Sequence, residues 1–331
     1  MLNKIILLIL IQFSLSYEIF DNVEDYKFTS NTYIASSNID NLYNFLNPAC
    51  NSLDKNKYIN TSIDNYYDGI LKSNSVFFST EIKYLEKINI SLISNRIENI
   101  YNTTDAWSDS GNGTIEFDDI DYSKITNFNH NTLGIILSKS YQLDTSEIPF
   151  LKNSFIKYGI NSKMSFSSLM NQKSFYHSFD FGLLYVNSNY FTSSISPNFG
   201  IILKNILPLK YWNTGNFENQ KSSLIFGSSI NLSKIIDFKN SNSYLNLDFD
   251  MLKFKFKDLG FGYTFKIEEH QLKLNLNKSQ THNSVCLMLR FNKKIDIAYV
   301  LMIPQSEQLS ISQKINFGFN TDFLKNKITN I

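Results

Sequence analysis

From about Tyr158 to Phe319 apolar and polar residues alternate with a period of two. Phe179, Phe181, Leu183 and Tyr185 stand against Asp180 and Gly182, and Leu245, Leu247, Phe249 and Met251 stand against Asn246, Asp248 and Asp250. The same alternation sets Phe254 and Phe256 against Lys253, Lys255 and Lys257, then Leu259, Phe261, Tyr263 and Phe265 against Gly260, Gly262 and Thr264. It continues through Leu272 to Leu276, Val285 to Phe291, Ile295 to Tyr299 and Ile315 to Phe319. Successive side chains of a strand point to opposite faces, so these runs predict strands with one apolar and one polar face. Short breaks at 267–270 and 292–294 predict antiparallel hairpins. The front third is less regular. Tyr58 to Ile70, Ser75 to Ile82, Lys87 to Arg96 and Leu133 to Ser140 have strand character, Asn38 to Leu53 reads as a short helix or loop around Asn47-Pro48-Ala49, and Asn102 to Ser123 reads as an acidic loop.

Alternation alone fits a soluble β-sandwich as well as a barrel. The distribution of polarity favours the barrel. Lys, Asp and Asn oppose bulky Leu and Phe over many strands, and 28 Phe and 19 Tyr supply interfacial girdles, as in a membrane barrel with a lipid-facing belt and a wet interior. The N-terminus agrees: Lys4, the apolar run Ile5 to Ile11 and Ser14-Leu15-Ser16 have the order of a secretory signal peptide cut near Ser16. That run is shorter than the roughly 20 apolar residues of a spanning helix, and nothing later supplies one. The expected division is a signal peptide over 1–16, an N-terminal segment over 17–52, a barrel over 53–319 and a tail over 320–331.

Charge and candidate chemistry narrow the function. With 31 basic and 30 acidic residues and no basic block, nucleic acid is excluded as an expected partner. Cys50 and Cys286 are far apart and read as two isolated thiols. His130, His177, His270 and His282 lack a metal-ligand spacing. His282 and Ser284 would share a strand face as the base and nucleophile of an outer-membrane phospholipase, but no third orienting residue accompanies them and an ordinary loop is preferred. Asp118, Asp119 and Asp121 lack the Gly and closing Glu of a calcium loop. Asp248 and Asp250, with Lys253 and Lys255 nearby, predict an inward ion-pair network rather than an acid–base pair. The expectation is a non-enzymatic protein with no catalytic residue, metal ligand or cofactor.

Several segments, in order, resemble the PorV/PorQ family of FadL-type outer-membrane barrels, which includes components of the type IX secretion system. Asn44-Phe45-Leu46-Asn47-Pro48-Ala49 looks like the family's "W-N-P-A-G-L" segment, with Cys50 in place of Gly. FDFGLLY (Phe179 to Tyr185) is similar to "L-D-L-G-L-L-Y", and NFGIILKNIL (Asn198 to Leu207) resembles "L-G-L-V-V-Q-N-L-G". KKIDIAY (Lys293 to Tyr299) looks like "F-R-L-D-Y-A-Y", and LSISQKINFGF (Leu309 to Phe319) resembles the closing "H-R-I-S-L-S-F-R-F" strand. The family's "A-M-G-G" element is missing, and the chain runs past the final aromatic residue. The resemblance implies an all-β transmembrane antiparallel barrel of about 14 strands with both ends periplasmic, placed in the outer membrane. It implies that the segment around Asn47, Pro48 and Ala49, roughly Asp21 to Asn51, enters the lumen as a hatch. Pro48 cannot donate to a strand ladder and Leu42, Phe45 and Leu46 need burial, which a lumen supplies, although a capped helix on a soluble domain would serve equally. The implied role is an accessory in protein secretion or surface assembly, with outer-membrane lipid and secreted cargo or other secretion components as partners. The alternatives are a FadL-like channel for hydrophobic small molecules and a soluble periplasmic β-sandwich binding protein.

Overall fold

A computed structural model of the chain describes residues 46–50, 58–82, 86–106, 120–143, 145, 154–187, 197–218, 220–233, 241–292, 294–307 and 309–321. The first seven strands are β1 (Tyr58–Tyr66), β2 (Leu71–Ile82), β3 (Glu86–Asn102), β4 (Thr126–Leu143), β5 (Ser154–Leu169), β6 (Gln172–Asn187) and β7 (Pro197–Trp212). After the two-residue β8 (Phe217–Glu218) come β9 (Ser223–Asn231), β10 (Ser241–Asp250), β11 (Lys255–Ile267) and β12 (His270–Ser279). The chain continues through β13 (His282–Phe291), β14 (Ile295–Pro304) and β15 (Ser312–Asn320). Each strand pairs antiparallel with the next, except that β7 passes over β8 to pair with β9; β15 pairs with β1. Fourteen strands therefore close a ring, with β8 attached to β7 alone. Closure pairs every stave on both sides and leaves no long free edge, with β7 departing from the ladder beyond Lys204.

The predicted faces are those observed, and their directions identify the solvent. On β6, Phe175, Phe179, Phe181 and Leu183 stand on the exposed outer surface, while Ser174, Tyr176, Ser178 and Asp180 are buried within. On β13, Val285, Leu287 and Leu289 are exposed, while Ser284, Cys286 and Met288 are buried. Inward positions are mainly Asn, Ser, Asp and Lys, among them Asn60, Ser62, Asp64, Asn161, Lys163, Asn275 and Lys314. Large apolar residues outside and polar residues inside reverse the order of a soluble sandwich and are the signature of a transmembrane β-barrel. On β6 the outer run from Phe175 to Tyr185, apolar except for His177, which meets Ser162 of β5 and the Phe179 ring, is flanked by Lys173 and Asn187. Ten residue steps at about 3.3 Å, tilted by about 40°, give a belt of about 25 Å, the hydrocarbon height of such barrels. Tyr58 pairs with Asn320, so the first and last strands meet at one end of the barrel.

Two predicted stretches differ. Met251 to Phe254 is a turn between β10 and β11, not strand, because the Asp250 carboxylate accepts the backbone N–H groups of Leu252 and Lys253 and pins the reversal. Lys253 therefore lies on the exposed turn, where its Nζ still reaches Asp250 Oδ2 at 3.3 Å, and Lys255 on the exposed start of β11, so that of the four only Asp248 and Asp250 face inward. Asp248 stands opposite the buried Asp258, and the bulge that follows it shifts Phe249 to Phe256. β1 ends at Tyr66 rather than near Ile70, since Tyr67, Asp68 and Gly69 take positive φ values of 53°, 56° and 91°.

Candidate functional site

The lumen wall carries the most specific contact in the molecule. Gly159 on β5 and Gly182 on β6 are direct cross-strand partners, and both face inward. They leave a notch in a wall otherwise lined by side chains, and the turn Asn47 to Cys50 sits in it. A Cβ on Gly182 would lie 2.0 Å from Asn47 Oδ1, and one on Gly159 would lie 2.3 Å from the Pro48 carbonyl oxygen, so only glycine fits either position. Asn47 does three things: its Nδ2 donates to the Leu183 carbonyl at 3.2 Å, its Oδ1 accepts from Ala49 N at 3.0 Å, and its carbonyl accepts from Cys50 N at 2.8 Å. Pro48 supplies a fixed φ without an N–H to satisfy. Ala49 and Cys50 pack on the inward Leu184 and Val186, with Phe155 alongside. Burial pushes the Cys50 thiol up to about 12, with Lys157 pulling the other way.

Above the notch the wall is held by charge. Lys163 Nζ lies 2.7 Å from Asp180 Oδ1, both side chains almost wholly buried, and also donates to Asn205 Oδ1 at 2.6 Å. Asn205 stands where β7 carries two register shifts against β6, at a left-handed φ of 53°. Its backbone N–H, out of the regular ladder, is taken by Asp180 Oδ1 at 2.9 Å, and its carbonyl accepts from Ser222 Oγ at 2.7 Å. Side chains thus replace the ladder where the strand bulges, as backbone at membrane depth requires. At the end of the barrel holding the chain's first and last strands, Arg290 forms a two-pronged pair with Asp296 at 2.7 Å on each oxygen, and Tyr58 donates to the same carboxylate at 2.6 Å. Farther along the wall, Lys314 lies 3.4 Å from Asp64 and beside Tyr66.

Of the residues singled out in the sequence, Asn47, Pro48 and Ala49 are brought together against the wall. Residues 21–45 and 51 of the proposed hatch, the signal peptide, Asp118 and Asp119, and the tail beyond residue 321 lie outside the described residues. His282 and Ser284 do not form a unit: His282 contacts Ser279 and Thr281, whereas Ser284 faces inward toward Asn277. Asp121 caps a short turn, accepting from Ser123, and is held below the usual carboxylate range by those bonds. Sequence reading missed Gly159, Gly182 and Asn205. A glycine at the inward parity of two successive strands was the available signal for the notch, but their pairing needed the register.

No protein-family profile and no curated protein matches the chain. Solved structures that align with it include porins. A KdgM porin in complex with disordered oligogalacturonate is 7% identical, with 79% of this chain and 98% of that chain covered and a TM-score of 0.32. A mutant porin of Rhodopseudomonas blastica is 7% identical over 80% and 98% of the two chains, with a TM-score of 0.30. The assignment of this chain as a transmembrane β-barrel rests on its own ring closure and reversed polarity.

Proposed function

We propose that this protein is an outer-membrane barrel, exported by a cleaved signal peptide, whose lumen is occupied by its own N-terminal segment and which acts as a non-enzymatic accessory in protein secretion or surface assembly, in the manner of the PorV/PorQ family. The observation that carries this reading is the Asn47 to Cys50 turn seated in the Gly159–Gly182 notch. A wall with two glycines opposed for one backbone turn is built to hold that turn, and a plugged barrel suits docking better than free diffusion. The inward Asn, Ser, Lys and Asp residues also disfavour a greasy conduit along the whole lumen.

The test is conductance in planar bilayers. The intact protein should conduct weakly, and deletion of residues 21–51 or the change Gly182→Val should raise conductance several-fold. A large, unchanged conductance in the intact protein would identify an open porin instead. Pull-down from native membranes should recover secreted cargo or secretion components. Recovery of fatty acid without protein would favour transport of apolar small molecules, a second reading supported by the apolar inner patch of Cys286, Met288, Ala298, Val300 and Met302, half-way round the ring from the notch.

A further inference from the structure

The outer apolar belt is not the same height all round. Cross-strand partners on the outer face run Tyr211, Phe175, Phe166, Leu133, Ser94, Asn74 and Ile63, from β7 to β1. On β4 to β7 this row is apolar and forms the belt's upper edge, with Asn131, Ser168 and Lys173 in the next row. On β2 and β3 the same row is already polar. The row is inclined, because a parallel one four residues lower runs from Phe179 in the middle of β6 through Ser162, whose hydroxyl meets the neighbouring outward His177, then Leu137, Ile90, Phe78 and Ile59 to Phe319, Ile295 and Phe291, at the turn beside the chain's first and last strands. Asn74 and Ser94 therefore lie closer to that end than Phe175 does, at a level where β5 to β7 still face lipid.

Below the charged rows the described apolar outer positions on β1 to β3 are correspondingly few: Ile59 and Ile63, Val76 and Phe78, and Ile88, Ile90 and Leu92, with Tyr101 standing apart beyond the bulge of β3. Four residue steps give about 10 Å along the membrane normal, against about 25 Å on β6. Directly above lie Asn65, Asn74, Ser94 and the exposed pairs Lys72–Glu98 at 2.5 Å and Arg96–Glu98 at 3.0 Å.

We propose that the outer face of β1 to β3 is a lipid-headgroup contact surface, against which the bilayer is thinned, while β5 to β7 meet hydrocarbon of ordinary thickness. The belt is continuous with this surface, and its groups of both charge signs, among hydroxyls and amides, suit the phosphate and ammonium of headgroups. A barrel forced into a uniform 25 Å layer would carry these charges in hydrocarbon, which lipid thins to avoid. The inference rests on the membrane-barrel reading.

The test attaches a nitroxide to single cysteines at Asn74, Ser94, Phe175 and Leu183 in a C50A/C286A background, with the protein in vesicles of dioleoyl phosphatidylcholine and phosphatidylglycerol. Collision with a water-soluble nickel complex should be several-fold more frequent at Asn74 and Ser94 than at Phe175, and oxygen collision should favour Phe175 and Leu183. Hydrocarbon-like readings at Asn74 and Ser94 would overturn the proposal. So would shielding from both reagents with cross-linking between copies, which would assign the face to a protein contact. Water-like readings at Leu183 as well would instead bring down the membrane reading beneath it.

Discussion

Tyr58 opens β1, yet its side chain serves the opposite end of the sequence. Its ring lies over Gly318, where a Cβ would come within 2.8 Å of Cε1, and its hydroxyl reaches Asp296, already gripped by Arg290. One buried carboxylate thereby ties β1, β13 and β14 across the closing seam between the first and last strands. The two partners are not equivalent. Loss of Tyr58 OH leaves Asp296 ion-paired, whereas loss of Arg290 leaves a buried carboxylate without its ion-pair partner and held by the Tyr58 hydroxyl. Tyr58→Phe should cost about 1 kcal/mol and Arg290→Met about 3–5 kcal/mol, read as the urea midpoint of the folded gel band in micelles. Equal midpoint shifts would mean that the seam does not depend on the ion pair.

At the level of elements, β7 is the irregular stave. It pairs with β9 only from Pro197 to Lys204; beyond that Asn205 and Leu207 take left-handed φ values and Pro208 has no N–H to offer. The strand survives because the Asp180 and Ser222 side chains take up what the ladder drops at Asn205, whose own side-chain amide donates to the Lys221 carbonyl. Asn205 contributes both an acceptor for Lys163 and a tolerance for positive φ. Asn205→Gly and Asn205→Ala both remove the side chain, but only Gly keeps the backbone unstrained. Asn205→Gly should therefore be more stable than Asn205→Ala by about 1 kcal/mol in the same gel assay. The reverse order would show that φ at this position relaxes freely.

For the whole molecule, the distribution of polarity sets the handling of the protein. Rows of exposed Leu, Phe and Ile circle the outside, and the stacked or tilted rings of Tyr141 with Tyr158, Phe166 with Phe175, and Tyr185 with Phe199 stand on the outer face of the tall side. Purified protein should stay dispersed only in detergent or lipid, and an unboiled sample should migrate as a compact band distinct from the boiled one. A compact monomer in plain buffer would contradict the barrel, since an apolar surface of that extent cannot remain in water.

What the sequence by itself determined is the set of faces. A side-chain period of two needs no tertiary information, so Phe179 to Tyr185 and Val285 to Phe291 were assigned to one side of their strands from spacing alone. The barrel itself was legible only from the make-up of the two faces, Lys, Asp and Asn opposite Leu and Phe, since the period of two does not say which face points outward; the unusual character of Asn47-Pro48-Ala49 was legible because proline cannot join a ladder. Register and bulges were not legible. Lys253 and Lys255 left the inner face because Asp250 captured two backbone donors, a local competition that alternation does not encode. Gly159 and Gly182 became a notch only when β5 and β6 were paired at that register, and the uneven belt emerged only when rows from seven strands were aligned. Register depends on which residues meet when the hairpins form and the ring closes, from Gly159 with Gly182 to Tyr58 with Asn320, and the alternation within one strand carries no record of it.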